Sequence, residues 1–252
     1  MNLYAQICIG VVCCSLAVGC GPPSEDDLCS KPTSGSYKGG LLLHFDEPAM
    51  PFADSSGWGN KLNYSGGVFS STDAVRGRSA LFDGTGRIDI HSCKSTNLTF
   101  LKGDDFTIDF WFKSFARMRQ QALQMGDGVT TGIAFNFADS DVSPTGMTTG
   151  LWIYWNSEGK NALTAGERFQ FTDGQWHHIA AVRSAGQITG YIDGKSIGAA
   201  LAGEQIGSAS LPTTIGSAPS STARVNGLID ELRILNGAAL WTKDFDPTKY
   251  VP

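Results

Sequence analysis

A chain of 252 residues with 41% hydrophobic and 17% charged side chains has a globular composition, which excludes an intrinsically disordered protein. Its net charge of −5, without any run of Lys or Arg, excludes a concentrated phosphate-binding or anionic-membrane surface, so nucleic acid is not an expected partner. Thirty-one glycines favour many turns and short strands.

Residues 1–20 read as an export signal, because Ile7 to Gly19 is mostly apolar and too short to span a bilayer. The stretch ends Leu16-Ala17-Val18-Gly19-Cys20, small residues before a cysteine, and resembles a bacterial lipobox. That resemblance implies a lipoprotein signal peptide over 1–19 and a lipidated Cys20 as the mature N-terminus, anchoring the chain to the membrane through lipid alone. An ordinary cleaved signal peptide is the alternative. Residues 20–39 are rich in Pro, Ser and Gly with an acidic cluster and no apolar period, which predicts a flexible tether. Gly21 stands where an Asp would retain a lipoprotein in the inner membrane, so the outer membrane or cell surface is the expected location. Cys8, Cys13 and Cys14 leave with the signal and Cys20 carries lipid. Cys29 and Cys93 remain, an even pair in an oxidising compartment, and are expected to form a disulfide; two free thiols are the alternative.

From residue 40 to 252 the pattern is of strands. Leu41–Asp46 is the first, followed by a long loop containing Asp54-Ser-Ser-Gly-Trp-Gly-Asn60. Ser79–Gly84 and Arg87–His91 are short strands. Phe106–Lys113 alternates with Phe106, Ile108, Phe110 and Phe112 on one face and Thr107, Asp109, Trp111 and Lys113 on the other. Gln120–Met125, Thr131–Phe137 and Leu151–Trp155 continue the rhythm. The segment Gly174–Lys195 then reads as paired strands. Trp176, His178, Ala180 and Val182 fall on one face, His177, Ile179, Ala181 and Arg183 on the other, and Ser184-Ala185-Gly186 and Asp193-Gly194 supply tight turns. Apolar residues on both faces place it between two layers. Ile197–Leu201, Leu211–Ile215 and Leu228–Leu235 complete the set, and Ala238–Thr242 is expected to form one helical turn.

The run WHHIAAVR, a short turn, then YIDGK resembles the signature hairpin of laminin G-like, concanavalin A-like lectin/glucanase domains. Leu41–Asp46 with Asp54–Gly57, Ser79–Gly84 with Phe106–Lys113, and Gly227–Ile234 are similar to further segments of that family in the same order. The resemblance implies an all-β fold, a two-sheet antiparallel jelly-roll sandwich. It says less of activity, because the fold hosts lectins, adhesion modules, glycanases and spacers.

Glycosidases need two carboxylates about 5–9 Å apart across the scissile bond. The β-glucan-cleaving enzymes of the superfold carry Glu-x-Asp-x-x-Glu, and no glutamate here begins that pattern. There is no Gly-x-Ser-x-Gly, and His177 and His178, adjacent on a strand, point to opposite faces. An enzyme is therefore not expected. The resemblance implies a structural Ca²⁺ held by an Asp of the last strand with groups near the first, here Asp230 and Asp46; Asp230 capped by backbone N–H groups or paired with Arg is the equal alternative. Trp152 and Tyr154, on one face of their strand, are the candidate sugar-stacking residues, with Trp58, Trp111 and Tyr191 as further aromatics. The reading is a non-catalytic, surface-anchored module binding carbohydrate or a glycoconjugate, its partner a glycan or a glycosylated cell-envelope protein. The alternatives are a protein–protein adhesion module that binds no sugar and an unrecognised glycan hydrolase.

Overall fold

A computed structural model describes residues 39–91, 97–126, 131–138, 150–155, 162–164, 170–207, 211–217, 222–249 and 252. Cys20, Cys29 and Cys93, and with them the expected lipid site and disulfide, lie outside the described residues.

The chain order is β1 (Gly39–Leu43), β2 (Lys61–Ser65), β3 (Val68–Ser71), β4 (Ser79–Asp83), β5 (Arg87–His91), β6 (Phe106–Ser114), β7 (Gln120–Met125), β8 (Ile133–Ala138), β9 (Gly150–Trp155), β10 (Ala162–Thr164), β11 (His177–Ser184), β12 (Gln187–Ile192), β13 (Lys195–Leu201), β14 (Thr213–Ile215) and β15 (Asn226–Asn236). A 3-10 turn at Pro247–Lys249 follows. The strands form two antiparallel sheets. One runs β13-β12-β11-β6-β15-β4-β3 with β1 also on β15; the other runs β10-β9-β8-β7-β14-β5-β2. This is the expected jelly-roll sandwich.

Alternation accounts for its core. Phe106, Ile108, Phe110 and Phe112 of β6 and Ile179 and Ala181 of β11 meet Phe135 and Phe137 of β8 and Leu151, Ile153 and Trp155 of β9. Phe110 packs edge-on to Phe135 at 5.4 Å and Phe112 lies 4.4 Å from Phe137 between centroids. Both hairpins of β11–β13 turn through two successive residues of positive φ, Ala185-Gly186 and Asp193-Gly194, which suits the right-handed twist of the strands. A Cβ at Gly194 would collide with the carbonyl of Phe245, so that turn needs glycine.

Several expectations are corrected. Residues 238–242 are not helical. They cross the outer face of the eight-stranded sheet, where Thr107 Oγ1 donates to Ala238 O and accepts from Leu240 N. Trp241 then stacks on Phe245 at 3.9 Å, over Ala180, Val182 and Tyr191. Trp111 and Tyr191 are buried on this face and unavailable to a sugar. β2, β3 and β10 join the set. Most consequentially, β15 is bulged between Asp230 and Arg233, with Glu231 at φ 48°. Asp230 stays on Leu228's side, but Leu232 and Ile234 are shifted onto the core face with Ile229.

Candidate functional site

The two sheets differ in what they turn away from the core. Outside the eight-stranded sheet, the segment crossing it closes over an apolar cluster and a buried ion group. Arg233 donates from Nε and Nη2 to the two oxygens of Asp109, both at 2.9 Å, and His178 Nε2 lies 3.2 Å from Asp109 Oδ2. His178 is ringed by Trp111, Trp241 and Phe245. His177 points to the opposite side, with Nδ1 2.9 Å from Asp193. The two histidines thus point to opposite faces, as expected from their adjacency on a strand.

The seven-stranded sheet turns outward a polar face. Leu151, Ile153 and Trp155 face the core, so Trp152 and Tyr154 face out. Strand register extends them into two rows. Trp152 is opposite Thr164 on one side and Asn136 on the other, and Asn136 is opposite Gln121. Tyr154 is opposite Ala134, which leads to Gln124, Thr214, Asp89 and Asn63 in turn. A bulge between Gln121 and Leu123 puts both Gln121 and Gln124 outward, and Gln121 Nε2 donates to Gln124 Oε1 at 2.9 Å. Arg119, just before β7, donates from Nη2 to Asn136 Oδ1 at 3.3 Å. Arg87 and Asp89 pair with each other at 2.8 Å.

Exposure divides this face. Trp152, Asn136, Gln121, Gln124 and Thr214 are buried, and the Thr214 hydroxyl has no hydrogen-bond partner. Tyr154, Arg87 and Asp89 are half-buried, while Arg119, Lys61, Asn63, Ser65 and His91 are exposed. Burial pushes the Tyr154 phenol upward against the pull of the Arg119 charge. Of the two expected stacking residues, only Tyr154 therefore keeps an open face. Trp58 is half-buried over Gly40, away from this sheet. The amides were missed in sequence, although Asn136 was visible there as the lone polar side chain in IAFNFA, out of phase with its core residues.

Residues 82–242 match the family described as the concanavalin A-like lectin/glucanases superfamily. The chain belongs to that superfamily. No curated protein sequence matches it. Among solved structures, it is similar to domain 4 of AbnA, a GH43 extracellular arabinanase from Geobacillus stearothermophilus, in complex with arabinotriose. The TM-score is 0.58 at 18% identity, covering 81% of this chain and 95% of that one. It is also similar to the binding domain of Paraclostridial Mosquitocidal Protein 1, with a TM-score of 0.59 at 18% identity, covering 80% of this chain and 49% of that one. A third is the binding domain of botulinum neurotoxin DC in complex with SialylT, with a TM-score of 0.54 at 14% identity and coverages of 83% and 48%. The chain thus spans about half the length of the toxin domains.

Within this superfamily fold, Asp230 and Asp46 come to one place, the turn between β3 and β4. Asp230 Oδ2 accepts N–H groups from Val75 at 2.8 Å and Arg76 at 3.1 Å, and its Oδ1 accepts from Glu231 at 2.9 Å. Asp46 Oδ1 accepts from Arg78 N at 2.8 Å. Both oxygens of Asp230 and one of Asp46 thus accept from backbone N–H groups. Among the described residues no three His, Cys, Asp or Glu side chains could hold a metal ion together. We propose that the two carboxylates clamp the turn through these N–H groups in place of the calcium ion that the resemblance implied. The expected result is a melting midpoint that stays within about 1 °C on adding EDTA or millimolar Ca²⁺. A calcium-dependent rise would restore the ion.

Proposed function

We propose that the chain is a non-catalytic module that binds a carbohydrate or glycoconjugate on the outer face of its seven-stranded sheet. On this reading it works outside the cytoplasm, held to the envelope by lipid on Cys20.

One observation carries this. A sheet face that merely packed against its own chain would be closed by apolar side chains, as the other sheet is by Trp241 and Phe245 over Ala180 and Val182. The seven-stranded sheet instead turns outward polar side chains, of which Asn136, Gln121, Gln124 and Thr214 are buried, and the groups open to a ligand are the exposed Asn63, Arg119 and Lys61 and the half-buried Tyr154. Amides both donate and accept, which matches the paired donor and acceptor character of sugar hydroxyls, and a phenol ring can lie against a pyranose face. The solved neighbour in complex with arabinotriose lends support at the level of the fold. The absence of Glu-x-Asp-x-x-Glu supports binding over hydrolysis.

The test is a glycan array probed with the full chain, followed by titration of the best hit. A defined subset of glycans should bind, and Tyr154→Ala should weaken binding about tenfold or more through lost ring contact. Its melt should barely change, because the side chain is only half-buried. A blank array beside a normal melt would instead favour the protein–protein adhesion module.

A further inference from the structure

We propose that the ligand of this face bears an anionic group, a carboxylate or sulfate on a sugar ring, and that Arg119 receives it. The proposal rests on reading the face as a glycan site and names the class of glycan.

The charge of the face runs against the charge of the chain. The full sequence is at −5. Yet among the described residues, the strands of the seven-stranded sheet turn outward Lys61, Arg87 and Asp89, and Arg119 stands at the head of β7. That is three cations against one carboxylate, and Asp89 is already paired with Arg87. A face that attracts anions on an acidic protein selects its ligand by charge as well as by shape.

Arg119 is the cation placed to use that attraction. An exposed arginine is ordinarily just a solvated one, but two features set this one apart. Its Nη2 is held by the side-chain oxygen of Asn136, which is 1% exposed, so the guanidinium is aimed along the sheet rather than away from it. Its charge is felt by the Tyr154 phenol, the half-open ring of the site. Elsewhere Lys113, Lys195, Arg233 and Lys249 each face a carboxylate of their own. Among the described residues Arg119 has none. Among the described residues its one hydrogen bond is that from Nη2 to Asn136, and the fork has further N–H donors that a ligand can engage. A ring-borne carboxylate or sulfate matches that fork in two parallel hydrogen bonds, and a sugar lying on Tyr154 would bring such a group to the edge where Arg119 sits.

The experiment titrates the full chain and three variants, Arg119→Gln, Tyr154→Ala and Lys102→Gln, each checked by its melt. The probes are oligogalacturonides with their carboxyl-reduced counterparts, and sulfated glycosaminoglycan oligosaccharides with their desulfated counterparts. Tighter binding to the first pair identifies a carboxylate, to the second a sulfate. The expected result is a loss of about tenfold or more on removing the anion from the sugar or the cation from residue 119, with Arg119→Gln no longer distinguishing acidic from neutral probes. Lys102→Gln, an exposed cation off this face, should bind as the parent does. Equal binding of neutral and acidic probes, or an Arg119→Gln variant with undiminished preference for acid, would overturn the proposal. If Tyr154→Ala still abolished binding, the glycan face would survive without its anion. Binding that neither Tyr154→Ala nor Arg119→Gln disturbs would sink both readings.

Discussion

Arg183→Ala should cost the domain about 3–5 kcal/mol, the size expected when a buried side chain that donates to four backbone carbonyls and packs on an aromatic ring is removed. Arg183 closes β11 with its side chain fully buried. Its Nε donates to Asp104 O, its Nη1 to Glu204 O at 2.6 Å and Ala202 O at 3.2 Å, and its Nη2 to Leu101 O at 2.7 Å. The guanidinium also lies 5.0 Å over the Phe106 ring, which stacks on Phe100. One side chain thus gathers the carbonyls of the segment before β6 and the segment after β13. Neither segment has a regular ladder at those carbonyls. Truncation would take a donor from four carbonyls, of which Leu101 O keeps the Asp104 N–H, and would leave a cavity beside Phe106. Urea unfolding should show a lower midpoint with an unchanged slope. Arg183→Lys should recover well under half of the loss, because an ammonium cannot reproduce the planar fork. A loss below about 1 kcal/mol in the alanine variant would mean that the two segments hold themselves.

The long alternating strands were legible because their pattern is local. Phe106–Ser114 puts its phenylalanines and Ile108 on one face at a strict period of two, His177–Ser184 carries apolar side chains on both faces, and the Asp193-Gly194 turn announces itself. The edge strands were not. KLNYS and VFSS are short and mostly polar, and β10 has three residues, so none has an apolar run to declare it. The bulge in β15 was invisible for another reason. Its positive-φ residue is Glu231, where a glycine or asparagine would have given warning, so strict alternation put Leu232 and Ile234 on the wrong side of Asp230. At the candidate site, parity gave the direction of Trp152 and Tyr154 correctly. Exposure is a different quantity, decided by what else lies against that face, and Trp152 proved buried. The approach of Arg119 to Asn136 spans 17 residues and depends on the register of β7 with β8, which no local pattern encodes.

The same bulge leads to a pH dependence opposite to that of ordinary acid denaturation. Asp230 is fully buried, and burial raises its carboxyl from 3.8 to about 7, against the lowering effect of the Arg76, Val75 and Glu231 N–H groups. Its neighbour Glu231 is also raised by burial, against the opposing pull of His44, whose Nδ1 lies 2.7 Å away. A carboxyl whose folded pKa lies above its unfolded value binds its proton more tightly when folded. Its contribution to stability is complete below the unfolded pKa and is lost as pH rises through the folded one, here between 3.8 and about 7. From pH 5 to pH 8 the loss from Asp230 amounts to roughly 2–3 kcal/mol, or a midpoint lower by about 4–12 °C for a domain of this size. His177 adds in the same direction. Burial lowers its pKa, but Asp193 and Asp173 outweigh burial and raise it, so the stability it gains from them also fades as pH rises. Asp230→Asn separates the two. The amide keeps an oxygen for the Val75 and Arg76 N–H groups and gives up the bond from Glu231, so the variant should be less stable at pH 5 yet lose most of the slope. Melts at half-unit intervals from pH 5 to 8 would show it. A parent whose midpoint is flat or rising over that window, or an Asp230→Asn variant with the parent's slope, would place the Asp230 pKa in the ordinary carboxylate range. The three N–H donors would then have prevailed over burial, and the carboxylate would clamp the β3–β4 turn in its charged form throughout.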